Sequence, residues 1–295
     1  MKLLPAGMPD HSRGLIIALL GVLLVSFDAL MVRLAAAPHW DIVFWRGWLI
    51  CLTFALWMLV NRQGFALPPR RKERWLIIAA IVLLSGNTTL FVLSVANTAA
   101  ANTVVILAAS PFFAALFSWF YLREPVRLRT WVAIFSAVVG VLIVFGGGLQ
   151  GGTAIGDFYA LLLAVCLGAN LTILRRFPTV PRLPLICLSG AVAGLMAIPF
   201  AAPLSLSLQS FLVIALMGVV QMPLATLLIA SATRYISSPE VSLCLLVETV
   251  LGPIWVWWVL SEAVPELTFI GGGLILLTVA IHGWLSLRES QRCQP

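Results

Sequence analysis

The sequence predicts an all-α polytopic membrane protein with ten transmembrane helices arranged as two inverted five-helix repeats. Composition is the first observation behind this prediction. Of 295 residues, 61% are hydrophobic and 10% are charged, whereas a soluble globular domain is about 45–50% apolar and about 25% charged. The second observation is a series of ten apolar runs, and the third is a repeat that relates the two halves of the chain. Together they exclude a soluble globular protein.

Ten apolar runs, bounded by charged residues, Pro or Gly, account for most of the chain. A helix rises about 1.5 Å per residue, so about 20 residues cross the roughly 30 Å of hydrocarbon. The runs fall at about 14–34, 42–60, 75–95, 101–121, 130–146, 155–174, 185–201, 210–232, 241–260 and 267–287. The first run is longer than the apolar segment of a signal peptide and contains Asp28 and Arg33. We therefore expect it to be retained as the first span.

The distribution of Lys and Arg orients these spans. With the N-terminus inside, every Lys and Arg except Arg33 and Arg46 falls on the inner side of the predicted spans, as the positive-inside rule requires. An even number of spans then puts both termini in the cytoplasm. The net charge of +7 and the basic tract at 70–72 also occur in nucleic-acid-binding proteins. Because the tract lies between two spans, we expect no nucleic-acid partner.

The cysteines predict neither a disulfide nor a metal site. Four of the five lie within apolar runs, at Cys51, Cys166, Cys187 and Cys244, and Cys293 is in the C-terminal tail. None has the spacing of a metal-binding pair, and a single buried cysteine usually acts as a small hydrophobic residue. We expect no metal and no cofactor.

The two halves of the chain align without gaps over a long stretch. Leu122–Glu124 matches Leu260–Glu262, and the same offset along the chain matches Ser110 with Glu248. Near the start of each half the offset is slightly larger, and there Ala18–Leu20 matches Ala160–Leu162. Each half holds five spans, so the second half enters the membrane from the opposite side. The interface of such inverted repeats at the bilayer midplane is the usual substrate site.

A glycine-rich segment at 146–152 separates the halves, which gives a first repeat over residues 1–148 and a second over residues 149–295. A phosphate-binding loop is the alternative for this segment, but no Lys-Ser or Lys-Thr pair follows it. Without a nucleotide-binding motif, we expect no transport driven by ATP hydrolysis.

Polar side chains near the centres of four repeat-related spans predict a binding site at mid-depth. Proline inside a membrane helix frees backbone carbonyls that a neighbour or a cavity must satisfy, and Pro111 and Pro223 lie at this level. The residues that we expect to bind substrate are Ser85, Asn87, Thr88, Ser110, Gln221, Glu248, Thr249 and Trp255. The alternative for Asn87, Ser110 and Gln221 is a structural hydrogen bond between helices, worth about 0.6 kcal/mol.

Glu248 is the most informative of these residues because it lies inside the apolar run 241–260. A charge at such a depth costs at least about 2.5–3.5 kcal/mol, so we expect Glu248 to face a polar cavity as a cation partner or proton carrier. Trp255 follows two turns later on the same helical face, where it can line the site or cap an ammonium group. Asp28 and Arg46 lie inside the outer ends of consecutive spans, as an outer gate or a structural ion pair.

A pattern of small residues, a mid-span proline and an aromatic segment ending in Glu occurs in the first half and, more loosely, in the second. The first half carries it in Ala99–Thr103, Pro111, Phe120–Pro125 and Trp131. The second half carries it in Tyr235–Ser238, Glu248 and Leu260–Glu262. This pattern resembles the EamA domain of the drug/metabolite transporter superfamily. Thr249 departs from it, because many EamA halves have proline there, so the second-half span need not bend as the first does.

The resemblance implies ten helices in two EamA repeats and a secondary transporter or facilitator, not an enzyme, that exports small metabolites such as amino acids. The YddG-like aromatic amino-acid exporters are the members to compare first. The expected location is the bacterial inner membrane, with transport by alternating access between the repeats. The expected partners are a small-molecule substrate and the lipid bilayer. Proton coupling, and the choice between monomer and homodimer, stay open.

Three alternatives stay open at this stage. A carrier of nucleotide sugars, other organic anions or drugs with the same fold needs convergent Lys or Arg in its cavity, where Arg46 is the one candidate. The others are an intramembrane enzyme and a non-transporting scaffold. The sequence has no HExxH motif and no convincing Ser/His/Asp set.

Overall fold

The computed structural model describes residues 9–62, 71–98, 103, 106–145, 154–178, 180–204, 206–260 and 266–292. All regular secondary structure within these ranges is helical. The predicted repeat boundary at 148–149, the small residues at 99–102, and Ser261 with Glu262 lie outside the described residues.

Helices account for the two halves in the order that the sequence predicts. The first half contains α1 (Asp10–Ser26), α2 (Asp28–Ala35), α3 (His39–Val60), α4 (Arg71–Asn97), α5 (Ser110–Phe117, continued by a π-helical turn over Ser118–Leu122) and α6 (Leu128–Phe145). The second half contains α7 (Ala154–Arg176), α8 (Arg182–Ala197), α9 (Leu208–Leu216, continued by a π-helical turn over Met217–Gln221), α10 (Met222–Ala232), α11 (Ser238–Leu245), α12 (Glu248–Leu260) and α13 (Glu266–Arg292).

Six helical stretches of the described chain are long and apolar enough to cross a membrane. These are Asp10–Ala35, His39–Val60, Arg74–Ser94, Ala154–Arg176, Leu208–Ala232 and Ser238–Val259. The remaining four predicted runs form the shorter apolar helices Ser110–Leu122, Leu128–Ile143, Arg182–Ala197 and Ile270–Ser286. The prediction of a polytopic helical membrane protein is confirmed at this level.

Two of the apolar stretches are interrupted at equivalent points of the repeat. A two-residue turn precedes α5, which begins at Ser110, and another precedes α12, which begins at Glu248. The interruption therefore occurs in both halves even though Thr249 stands where the first half has Pro111. The Thr249 hydroxyl donates to the carbonyl of Leu246 at 2.7 Å, so a side chain satisfies a carbonyl at the break.

Contacts at the two ends of the bundle follow the repeat. A Cβ atom added at Gly14 would lie 2.6 Å from the Cβ of Tyr235, and one added at Gly156 would lie 2.6 Å from the Cβ of Thr98. Gly14 and Gly156 are equivalent in the alignment of the two halves, and Thr98 is equivalent to Ile236, the neighbour of Tyr235. The first helix of each half thus packs through a glycine against the end of a helix from the other half.

The first helices of the two halves run in opposite directions. α1 begins beside Tyr235, where the Arg13 guanidinium lies 5.9 Å from the ring centroid. α7 ends at the same place, because Arg175 donates to the carbonyl of Arg234 at 3.1 Å. We call this the arginine-rich end of the bundle. At the opposite end, α7 begins where Thr98 donates to the carboxylate of Asp157 at 2.8 Å.

The crossing of α3 and α8 joins the halves through backbone contact. A Cβ atom added at Gly47 would lie 2.6 Å from the backbone nitrogen of Gly194 and 2.7 Å from the carbonyl oxygen of Gly190. The sulfur atoms of Cys51 and Cys187 lie 3.7 Å apart at the same crossing, and both cysteines are free thiols. Small residues at such crossings let membrane helices approach closely.

Replacing Gly47 by Ala should destabilise the protein, because the new methyl group meets backbone atoms that cannot move aside. Overpacking of this kind costs about 1–3 kcal/mol, which lowers the melting temperature of the purified protein. Gly273→Ala is the matched control, since among the described residues no atom beyond its own helix backbone lies within 4 Å of its added Cβ, and Ala favours a helix over Gly by about 1 kcal/mol. Equal melting temperatures for the two variants would contradict the close crossing.

Candidate functional site

The candidate site is built around the break between α1 and α2. Ser26 ends α1, and its hydroxyl donates to the carbonyl of Leu23 at 2.7 Å. The same hydroxyl accepts the indole N–H of Trp255, from α12, at 2.9 Å. The Trp255 ring stacks on Phe27 with centroids 4.6 Å apart and planes 17° apart. The break is therefore held by an aromatic pair and a hydrogen bond from the second half of the chain.

Gln221 supports the break from another side. It is the last residue of the π-helical turn that follows α9, and its amide nitrogen donates to the carbonyl of Leu24 at 2.9 Å. This carbonyl lies in the last turn of α1, where it also accepts the backbone N–H of Phe27 at 3.4 Å, so Gln221 adds a second and shorter hydrogen bond at the helix end. The Gln221 side chain is buried, and its oxygen has no hydrogen-bond partner within the described residues.

A charged pair lies beside the break, and a third ionisable residue lies within electrostatic range of it. The Arg46 guanidinium donates through Nη1 to both carboxylate oxygens of Asp28, at 3.1 Å each, and these side chains are 13% and 14% exposed. Glu248, the first residue of α12, is partly buried and interacts electrostatically with both members of the pair. Its carboxylate also lies at the positive end of the helix dipole. One cation is thus paired with one carboxylate and lies within electrostatic range of a second carboxyl group.

Glu248 lies near the middle of the bundle. Its stretch begins at Ser238 beside the arginine-rich end, so Glu248 is about 15 Å along it at about 1.5 Å per residue. This is half of the roughly 30 Å thickness of a hydrocarbon core. Asp28 follows the whole length of α1, which begins at Asp10, and lies nearer the opposite end.

Two small cavities adjoin Arg46 and Thr88. One, of about 30 Å³, also touches Asp28, His39 and Phe91. The other, of about 40 Å³, extends between α3, α4, α8 and α10 along Ser85, Ser189 and Thr226. Each has room for one or two water molecules. Neither alone accommodates a metabolite, so a ligand that reaches Arg46 by this route requires the surrounding helices to separate.

The predicted binding residues fall into two groups. The first group, with the predicted gate or ion pair Asp28 and Arg46, lies at the break and its flanking cavities and consists of Ser85, Thr88, Gln221 and Trp255. Glu248 lies within electrostatic range of the Asp28–Arg46 pair. The Ser85 hydroxyl also bonds the carbonyls of Ile81 and Val82 in its own helix, at 3.0 Å each.

Three predicted residues have other surroundings. Ser110 shares a 3.0 Å hydrogen bond with Ser242 where α5 crosses α11. Thr249 donates within its own helical stretch, to Leu246. The Asn87 side-chain oxygen is buried without a hydrogen-bond partner in the part of the chain that the structure describes.

A second polar cluster, at the arginine-rich end, escapes the sequence reasoning. Glu240 accepts from Ser237 in a capping box, through the backbone N–H at 3.0 Å and the hydroxyl at 2.9 Å. Its other oxygen faces His11 at 3.2 Å and Ser286 at 2.9 Å. His282 lies 3.7 Å from the same oxygen. The Ser-x-x-Glu spacing at 237–240 was the one local signal for this cluster, since its other members come from distant helices.

Comparisons with known proteins match both halves. The model of the EamA-like transporter family matches residues 12–146 and 154–284. A comparison with curated proteins gives no match. One solved structure, described only as the crystal structure of a protein, superposes with a TM-score of 0.80 at 18% identity over 92% of this chain and 99% of its own. This likeness establishes the fold alone.

Replacing Arg46 by Met leaves the carboxylates of Asp28 and Glu248 together without their cation. Removing one partner of a buried pair costs about 3–5 kcal/mol, so the purified Arg46→Met variant should melt at a clearly lower temperature. Adding Asp28→Asn to this variant removes one of the two carboxylates and should recover most of the stability. An unchanged melting temperature for Arg46→Met would contradict a stabilising role for the pair.

Proposed function

Because the chain belongs to the EamA-like transporter family, we propose that it is a secondary transporter or facilitator that exports small metabolites. Amino acids, aromatic or otherwise apolar, are the proposed substrate class, as in the YddG-like exporters. The proposed topology has ten crossings in two inverted repeats, with both termini and the arginine-rich end in the cytoplasm of a bacterium. The antiparallel course of α1 and α7 supports the inverted arrangement.

The unequal charge of the Asp28, Arg46 and Glu248 cluster carries this proposal. A structural ion pair in a membrane needs one partner for each charge. The Asp28 carboxylate is already the partner of the Arg46 guanidinium, at 3.1 Å. Glu248 adds a second carboxylate within electrostatic range of the pair. The cluster therefore suits a ligand that brings a positive group, such as the ammonium of an amino acid, or a proton. Arg46 can serve the carboxylate of the same ligand.

The aromatic pair supports an aromatic or apolar side chain on the substrate. Trp255 and Phe27 stack beside the charged cluster, and their ring faces offer a flat apolar surface. Trp255 is also suited to bind an ammonium group through its ring face. A charged cluster next to an aromatic surface matches the two ends of an apolar amino acid.

The alternatives receive less support from this site. A carrier of nucleotide sugars or other organic anions needs several cations in the cavity, whereas Arg46 is already paired with Asp28 and has Glu248 within electrostatic range. An intramembrane enzyme predicts a covalent product on incubation with candidate substrates. A non-transporting scaffold predicts no ligand-dependent thermal shift.

The proposal of alternating access is based on contacts between the second half of the chain and the α1–α2 helix break in the first half. Gln221 and Trp255, on the second half, bond the α1–α2 region of the first half. We propose that rocking one half against the other remakes these contacts and exposes the cluster to each side in turn. We also propose that proton movement through Glu248 is coupled to transport. The proposed transporter operates as a monomer or as a homodimer.

Replacing Glu248 by Ala should reduce amino-acid flux into proteoliposomes to the level of protein-free liposomes, because the ligand loses its anionic partner. Glu248→Gln, which keeps the shape and removes the charge, should have the same effect. Both variants should remain folded and monodisperse on size-exclusion chromatography. Asp10→Asn is the matched control, since this carboxylate is 79% exposed at the start of α1, and it should transport normally. Unaltered flux in Glu248→Ala would remove this residue from the mechanism.

The proposed topology predicts which sites react with a membrane-impermeant thiol reagent. In a variant whose native cysteines are replaced, Leu204→Cys should be labelled in intact cells, because Leu204 is 95% exposed between α8 and α9. Pro178→Cys, in the exposed turn between α7 and α8, should be labelled only after the membrane is opened. The reverse pattern would show that the orientation is wrong.

A further inference from the structure

The polar cluster at the arginine-rich end joins the two halves of the chain. His11, in the first turn of α1, has its Nε2 3.2 Å from a carboxylate oxygen of Glu240, in the first turn of α11. The same Nε2 lies 2.7 Å from the hydroxyl of Ser286, on α13. α1 belongs to the first half, whereas α11 and α13 belong to the second. Separating the halves at this end therefore breaks the contacts of His11.

A cavity of about 330 Å³ adjoins the cluster, and His11, Glu240 and Ser286 all line it. This volume has room for several water molecules, so protons can reach the cluster from the arginine-rich end. The side chains of His11 and Glu240 are 19% and 12% exposed. Because both are partly buried, salt and water screen their interaction less than they screen a surface pair.

Hydrogen-bond donors surround the Glu240 carboxylate and favour its charged form. One oxygen accepts from the backbone N–H and the hydroxyl of Ser237, at 3.0 Å and 2.9 Å. The other oxygen accepts the Ser286 hydroxyl at 2.9 Å. Hydrogen bonds to a carboxylate stabilise its ionised state. Glu240 therefore presents a negative charge to His11.

Other ionisable groups face Glu240 from the helices around it. Arg129, on α6, lies within electrostatic range of the carboxylate and donates to Ser286 at 3.2 Å. His282, on α13, lies 3.7 Å from the oxygen that faces His11, and Cys244 lies one turn further along α11. The ionisable groups elsewhere in the cavity wall and in the first turn of α1 are Glu124, Arg127, Arg175, Tyr235, Asp10 and Arg13. Of the two histidines beside Glu240, His11 is the one from the other half.

Protonation of His11 strengthens its contact with Glu240. Histidine is the side chain that changes charge between about pH 5 and about pH 8. The protonated ring carries a hydrogen on Nε2 and a positive charge 3.2 Å from the carboxylate oxygen, and charge-assisted hydrogen bonds are about twice as strong as neutral ones. The neutral ring lacks this charge. Arg129 repels the protonated ring, but its contact in the cluster is with Ser286, whereas His11 contacts the carboxylate directly, so attraction exceeds repulsion.

We propose that His11, Glu240 and Ser286 form a pH-sensitive latch that holds the arginine-rich end closed while His11 is protonated. Because proton binding and closure are linked, this stabilisation of the closed end is present at low pH and is lost as the pH rises through the histidine range. The latch rests on the proposed function, in which this end faces the cytoplasm and opens to admit substrate. Acidification of the cytoplasm then slows export.

Distances between two spin labels on the purified full-length protein test the latch without requiring transport. In a variant whose native cysteines are replaced, the labels are attached at Asp10→Cys and Arg288→Cys, which are exposed on α1 and α13. We expect a shorter and a longer distance, from the closed and the open end. The ratio of short to long distances should be about tenfold higher at about pH 5 than at about pH 8.

Two replacements of His11 should fix the latch in opposite states. His11→Gln cannot take up a proton, so it should give the longer distance at both pH values. His11→Arg is permanently charged, so it should give the shorter distance at both. His39→Gln is the matched control, because His39 begins α3 at the opposite end of the bundle, and it should keep the pH dependence of the wild type.

Several results would overturn the latch. They are equal distances at both pH values in the wild type, a shorter distance at the higher pH, or an unchanged pH dependence in His11→Gln. A longer distance in both His11 variants would show that the contact is structural and independent of charge. Loss of the pH dependence in His282→Gln and not in His11→Gln would assign the titration to the other histidine.

Sided flux separates failure of the latch from failure of the proposed function. In oriented proteoliposomes, export of phenylalanine by the wild type should be about fivefold slower with the cytoplasmic face at about pH 5 than at about pH 8. Effects of pH through Glu248 persist in His11→Gln, so the difference between the two proteins isolates the latch. Normal flux with distances that do not depend on pH would reject the latch alone. Distances that depend on pH with no flux in any preparation would reject the proposed function alone.

Discussion

The hydrogen bond from the Gln221 amide to the carbonyl of Leu24, at 2.9 Å, holds the helix break on which the candidate site depends. Lipid offers no partner for a backbone carbonyl, so an interrupted membrane helix must be satisfied by the protein. Here the Leu24 carbonyl accepts the Phe27 N–H at 3.4 Å, and its shorter hydrogen bond comes from the other half of the chain, as does the Trp255 indole that bonds Ser26. The break beside which Asp28 pairs with Arg46 is thus also a joint between the halves.

Local sequence pattern is sufficient to select candidate site residues that belong to single helices. The apolar run around Glu248 identified a costly carboxylate, and the alignment of the two halves related it to Ser110. Each of these residues begins a helix after a two-residue turn, although proline follows only Ser110. Hydrophobic periodicity and self-alignment do not depend on which helices pack together in the fold. The helices and the repeat could therefore be predicted from the sequence.

Contacts between distant helices could not be predicted in the same way. The Ser110 hydroxyl meets Ser242, and no local pattern distinguishes such a crossing from a ligand contact. The cluster at the arginine-rich end joins His11 to Glu240 across 229 positions and to Ser286 across 275. An isolated histidine near a helix end has no sequence pattern from which these partners could be predicted. Their proximity results from the packing of α1, α11 and α13, which only the folded chain defines.

The glycine contact between α3 and α8 limits the kind of motion that the two halves can make. Gly47 meets the backbone of Gly190 and Gly194 with no side chain between them, so translation along this crossing would drive one main chain into the other. A tilt about the same point leaves the contact intact while both ends of the bundle change their separation. In a rocking transporter this crossing would serve as a pivot, and its distances from the two ends of the bundle would set how far each end opens.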